Sequence, residues 1–104
     1  MIIAGKEVTY GSVEAITVST SAIGISSLPT TIAIALVTVD VEAANIRYRA
    51  DGSDPTASIG TPAYNGERLV FDELAEINKL KLIRKGSTDA TCTVTYWTNS
   101  PGYR

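Results

Sequence analysis

Apolar and polar residues alternate with a period of two along most of this chain, the spacing of strands that bury one face and expose the other. From Val13 the run Val13-Glu14-Ala15-Ile16-Thr17-Val18-Ser19-Thr20 sets Ile16 and Val18 on one face, with Thr17 and Ser19 on the other. A shorter alternation, Ala22-Ile23-Gly24-Ile25-Ser26, stops at Leu28-Pro29-Thr30, where Pro29 has no N–H for a central ladder. That piece reads as an edge strand or a turn. Ile32 to Val39 is apolar on both faces and rich in β-branched residues, which predicts a central strand. Its larger side chains Ile32, Ile34 and Leu36 are expected toward the core, with an alanine-lined back that lets something pack close. Asn45 to Ala50 alternates most cleanly, with Ile46, Tyr48 and Ala50 inward and Arg47 and Arg49 outward.

Turn chemistry separates these runs. Asp51-Gly52 and Asp54-Pro55 reverse the chain after Ala50. Asn65-Gly66, between Pro62-Ala63-Tyr64 and Arg68-Leu69-Val70-Phe71, predicts a hairpin with Leu69 and Phe71 inward. The only helical signal lies at residues 72–78, where Asp72 suits an N-cap, Glu73 and Glu76 suit the first turn, and Leu74 and Ile77 are spaced i, i+3. Lys79 to Arg84 returns to period two. The last strand then sets Cys92, Val94 and Tyr96 inward against an outward row of Thr91, Thr93 and Thr95. The whole string is seven or eight short strands with one short helix, an all-β class. It predicts an antiparallel β-sandwich of jelly-roll or immunoglobulin-like order, the two being indistinguishable by pattern. Residues 1–12 read as an N-terminal arm or edge strand, 13–97 as a single domain, and 98–104 as an irregular tail.

Composition narrows the function. The 104 residues make one domain, and 44% of them are apolar against 19% charged, so a packed core is expected rather than disorder. Thirteen Thr and nine Ser supply much of the polarity, and Thr suits the half-exposed face of a sheet. A net charge of −2 gives no general attraction to nucleic acid or anionic lipid, and neither is expected as a partner. The absence of histidine removes the usual base beside a Ser or Cys nucleophile and the usual nitrogen ligand of zinc or haem. The single cysteine, Cys92, allows no intrachain disulfide, and its place in an inward row makes it an inert buried thiol. The opening residues lack the pattern of a secretory signal, and no apolar run is long enough to span a bilayer. A soluble protein made in the cytoplasm is therefore expected.

The remaining chemistry has structural explanations. Asp51 and Asp54 sit where short carboxylates bond turn backbones, without the loop of an EF-hand, and no glycine loop follows a phosphate-cradling pattern. No catalytic, metal or cofactor residues are assigned, and the chain reads as a non-enzyme. Arg47, Arg49, Lys79, Lys81, Arg84 and Lys85 fall on two strands whose polar sides could adjoin, and a solvated mixed face is the expected reading. Tyr48, Phe71 and Tyr96 lie in inward rows. Tyr10, Tyr64, Trp97 and Tyr103 lie near strand ends or in tails, and with Arg104 they are the candidate partner-contact residues, suited to protein contact before sugar stacking.

Two resemblances bear on the partner. Ile46-Arg47-Tyr48-Arg49-Ala50-Asp51-Gly52-Ser53-Asp54-Pro55-Thr56 resembles the Tyr-rich strand and Asp-Gly-Ser-x-Pro-Thr turn of the β-sandwich modules attached to chitobiase-type enzymes and bacterial surface proteins. It implies a carbohydrate- or surface-binding module with Trp97 and Tyr64 as stacking platforms. The stretch from Val13 to Trp97 resembles the small virion proteins of tailed bacteriophages. The matching pieces are Arg47-Tyr48, Asp51-Gly52, Pro55-Thr56-Ala57-Ser58-Ile59-Gly60, Asn65-Gly66, Glu76-Ile77-Asn78, Leu82-Ile83-Arg84, and Gly86 through Asp89-Ala90-Thr91 to Val94-Thr95-Tyr96. This resemblance implies a homo-oligomeric capsid cement or decoration protein in the virion, a trimer by preference, in contact with the major capsid protein. The related version is a tail or head-fibre accessory protein.

Overall fold

The computed structural model describes residues 2–25, 31–39, 45–56, 58–86 and 88–99. Nine strands and one helix follow in the order β1 (Ile2–Ile3), β2 (Lys6–Val18), β3 (Ile23–Gly24), β4 (Ile32–Val39), β5 (Ile46–Arg49), β6 (Thr61–Ala63), β7 (Arg68–Phe71), α1 (Leu74–Lys79), β8 (Lys81–Arg84) and β9 (Ala90–Asn99). All strand pairs are antiparallel, in a five-stranded sheet β1-β2-β9-β4-β7 and a four-stranded sheet β3-β8-β5-β6. The chain crosses between sheets at β2/β3, β3/β4, β4/β5, β6/β7, β7/β8 and β8/β9. This interleaving, with β2-β9-β4-β7 facing β3-β8-β5-β6, is the strand order of a jelly roll and not of an immunoglobulin domain.

The core lies between the sheets. Ile16 and Val18 of β2, Ala35, Val37 and Val39 of β4, Leu69 and Phe71 of β7, and Cys92, Val94 and Tyr96 of β9 face Ile46, Ala63 and Leu82 of the smaller sheet. Ile77 and Leu80 close the open side. Tyr48 of β5 meets Phe71 of β7 across the sandwich, ring edge to ring face, with centroids 5.7 Å apart. The Tyr96 hydroxyl reaches this layer as a donor to the Glu14 carboxylate, so a buried phenol keeps its hydrogen bond.

Several expectations are corrected. In β4 it is Ala35, Val37 and Val39 that face the core, while Leu36 lies on the outer face. A bulge at Ala33 shifts the parity, so Ile32 packs toward the main core and Ile34 falls on the other side. No alanine-lined outer back exists, since Ala33 and Ala35 are both buried. The turn at Asn65-Gly66 is real, closed by the Glu67 amide on the Tyr64 carbonyl at 3.0 Å, but it makes a corner and not a hairpin. Its flanking strands belong to different sheets, β6 pairing with β5 and β7 with β4. The N-cap of the helix is Glu73 rather than Asp72, and it makes no side-chain capping bond.

The expected boundaries at 13 and 97 fall inside strands. β2 runs unbroken from Lys6, with a bulge at Gly11, and β9 continues through Thr98 and Asn99. Gly11 is demanded by close approach, because a Cβ there would lie 3.0 Å from the Tyr96 carbonyl oxygen. Past the bulge, Val8 is buried with Ile34 and Ala33 in a second small cluster that takes in Ile3 and Trp97. Lys6 donates from Nζ to the Asp72 carbonyl at 2.5 Å. The Leu28-Pro29-Thr30 stretch lies outside the described residues.

Candidate functional site

Strand register places four rows of side chains on the outer face of the five-stranded sheet. Val13, Thr95, Leu36 and Val70 are neighbours across β2, β9, β4 and β7. Ala15, Thr93, Thr38 and Arg68 form the next row, and Thr17 faces Thr91 beyond it. On the other side Tyr10 and Trp97 continue the rows, with Ile34, their neighbour on β4, buried beneath the second cluster's side chains. Arg68 is the single ionisable side chain in these rows apart from the Tyr10 phenol. Val13 is 52% exposed, Val70 49% and Tyr10 54%, so the face presents apolar and hydroxyl groups directly to solvent. An alternating strand that turns hydrophobes inward normally turns charge outward, and here it turns threonine outward instead.

Of the expected contact residues, the structure brings Tyr10 and Trp97 together. Their rings meet edge to face at 5.8 Å on paired positions of β2 and β9. The Trp97 indole Nε1 is buried, and among the described residues it is the one buried side-chain nitrogen or oxygen without a hydrogen-bond partner. Tyr64 is exposed at the corner after β6, where the neighbouring Gly66 amide bonds the Val39 carbonyl. That is the opposite end of β4 from Ile34 and Trp97, so Tyr64 and Trp97 do not form one platform. Tyr103 and Arg104 lie outside the described residues.

The four-stranded sheet carries a different surface. Arg49 and Lys81 are cross-strand neighbours on β5 and β8, as the sequence allowed. Both are matched by acids, as is Arg84: Arg49 pairs with Asp51 at 2.5 Å, Lys81 with Asp54 at 3.2 Å, and Arg84 with Asp89 at 2.6 Å. Arg47 donates to the Gly60 carbonyl at 3.0 Å. The arginine bond and the Ser53 amide hold the Asp51 carboxyl below its usual range. Ser19 and Arg84 do the same to Asp89. This is a mixed face on which acids accompany Arg49, Lys81 and Arg84, not a positive stripe.

A cleft of about 650 Å³ opens over the Tyr48–Phe71 pair, lined also by Arg49, Asp51, Thr61 and Glu76. Burial, then the charges of Glu67 and Glu76, push the Tyr48 phenol above its ordinary value. Sequence reasoning missed this cleft because its two aromatic residues come from opposite sheets and each reads locally as core. Among the described residues no three acidic or cysteine side chains gather in a way that could hold a metal ion. The Cys92 thiol is buried.

No family model matches the chain, and no curated protein or solved structure is detectably similar to it.

Proposed function

We propose that this protein is a non-enzymatic structural subunit of a tailed-phage virion, a cement or decoration protein that clamps the assembled shell through the outer face of its five-stranded sheet. The observation that carries this reading is the near-absence of charge from that face, where Arg68 is the only permanent ion among the described residues of its cross-strand rows. Burying charge against a partner costs free energy unless each ion is paired, whereas threonine hydroxyls and valine methyls can be covered with little penalty. An uncharged surface of this kind suits protein contact, with Tyr10 and Trp97 as its aromatic anchors. The resemblance of residues 13–97 to small virion proteins supplies the partner, and the jelly-roll order is a fold that capsid proteins use. Fold alone does not assign the role, which rests on the face. Binding only to the assembled shell would stabilise that state by mass action.

The test is the presence and copy number of the protein in purified virions. Copies in the hundreds support a shell position, a few copies support a tail or head-fibre position, and absence overturns the virion reading. Thr93→Lys places a charge at the centre of the face and is expected to abolish co-sedimentation with shells while leaving the fold intact. A second reading, a carbohydrate- or surface-binding module, is favoured by one feature, the cleft over Tyr48 and Phe71, whose volume lies within the range of small-molecule sites. Binding of soluble glycans that is lost in Glu76→Ala and kept in Thr93→Lys would favour that reading.

A further inference from the structure

The edges of the two sheets are not managed alike. An exposed edge strand offers a row of unpaired N–H and C=O groups to any extended chain, and stable proteins blunt it with short length, proline, lysine or other charge. Three edges here are blunted. β3 has two residues, β6 is Thr61-Pro62-Ala63 with a proline at its centre, and β7 has four residues led by Arg68. β2 is the exception. It has 13 residues, and β1 covers only Lys6 and Glu7. From Thr9 to Val18, among the described residues, β2 is paired on one side only, with β9. That stretch contains no lysine, arginine or proline, and its one charge, Glu14, is turned to the inner face where it accepts from the Tyr96 hydroxyl.

We propose that the β2 edge is a self-association site, pairing antiparallel with β2 of a second copy so that two five-stranded sheets join into one continuous sheet. A second copy is the occupant the chemistry favours. An antiparallel joint between identical edges is twofold, so the two strands match in length and each satisfies the other's backbone groups. Registers centred on Val13 or Ala15 set Glu14 opposite Ser12 or Ile16 of the other copy, so the two carboxylates do not face each other. The join also runs the uncharged rows of Val13, Ala15 and Thr17 into those of the second copy. The product is a dimer, whereas the virion resemblance implies a trimer, and it stands independently of shell binding.

Light scattering after size-exclusion chromatography reads the mass directly. The full chain is expected to be a dimer at high micromolar concentration. Val13→Lys with Ala15→Lys, both exposed outer-face positions beside the seam, is expected to give a monomer with unchanged far-ultraviolet circular dichroism. Thr93→Lys, on the same face but one strand in from the edge, is expected to remain dimeric. Hydrogen exchange on the wild-type protein gives a readout that needs no variant, because alternate amides between Ser12 and Val18 are protected only when the edge is paired. A wild-type monomer or trimer overturns the proposal, as does a dimer that survives the double substitution, one that Thr93→Lys dissociates equally, or fast exchange of those amides. A monomer would leave the edge to a strand of another protein.

Discussion

Trp97 combines two roles that ordinarily conflict. Its ring anchors the second cluster beside Val8 and Ile34 and meets Tyr10, yet its indole nitrogen is buried without a partner. An unsatisfied donor costs about 1–3 kcal/mol. Trp97→Phe, which keeps the ring and removes the donor, is therefore expected to shift stability by less than about 1 kcal/mol, since the lost area and the relieved donor offset each other. Trp97→Ala is expected to cost about 3–5 kcal/mol by leaving a cavity. Chemical denaturation of the two variants checks the contrast. Acid response belongs to Asp51 and Asp89, whose folded values lie below the unfolded ones. The sign follows from linkage: their contribution is complete above the ordinary carboxylate range and is lost as pH falls through the lowered folded values. Thermal midpoints measured down through that range should fall, and Asp89→Asn should make the fall shallower. Both carboxylates are exposed to solvent, so the change in slope is expected to be modest.

The short helix α1 shows how much one element can rest on one side chain. Six residues are too few for a helix to stand without packing, and no side chain caps its start. Ile77 is fully buried in the main core, whereas Leu74, three residues earlier, is 55% exposed. The i, i+3 pair that signalled the helix is therefore not a pair of core residues. Ile77→Ala is expected to cost about 2–5 kcal/mol, and Leu74→Glu to leave the denaturation midpoint within about 0.5 kcal/mol of wild type. Equal losses in the two would overturn this account of α1. The strands β6 and β7 carry a similar lesson. Asn65-Gly66 supplies a turn in either case, and whether its arms pair depends on which other strands are already beside them.

Across the whole molecule the two sheets divide their surfaces between them. The smaller sheet pairs Arg49, Lys81 and Arg84 with the acids of nearby turns, and the larger leaves the described rows of its outer face almost free of charge. That division gives a domain with one inert side and one side fit for contact. A charge placed at Thr93 tests the face alone, whereas charges placed at Val13 and Ala15 lie on the same face but also beside the edge, so dimer loss in the second variant and not in the first assigns self-association to the edge.

Alternation alone was enough to read most strands, the inward rows of β5 and β9, and the threonine row of β9, because a period of two is local and needs no partner. Turn residues likewise marked the reversals at Asp51-Gly52 and Asn65-Gly66. The orientation of β4 was not readable, since both its faces are apolar and the bulge at Ala33 moves Ile34 across the sheet. Choosing jelly roll over immunoglobulin-like order required the pairing of strands far apart in the chain, such as β2 with β9 and β5 with β8. The uncharged face, the Tyr10–Trp97 contact and the cleft arise in the same way. Each is assembled from strands whose individual patterns say only that one side is buried, and long-range pairing sets which exposed sides become neighbours.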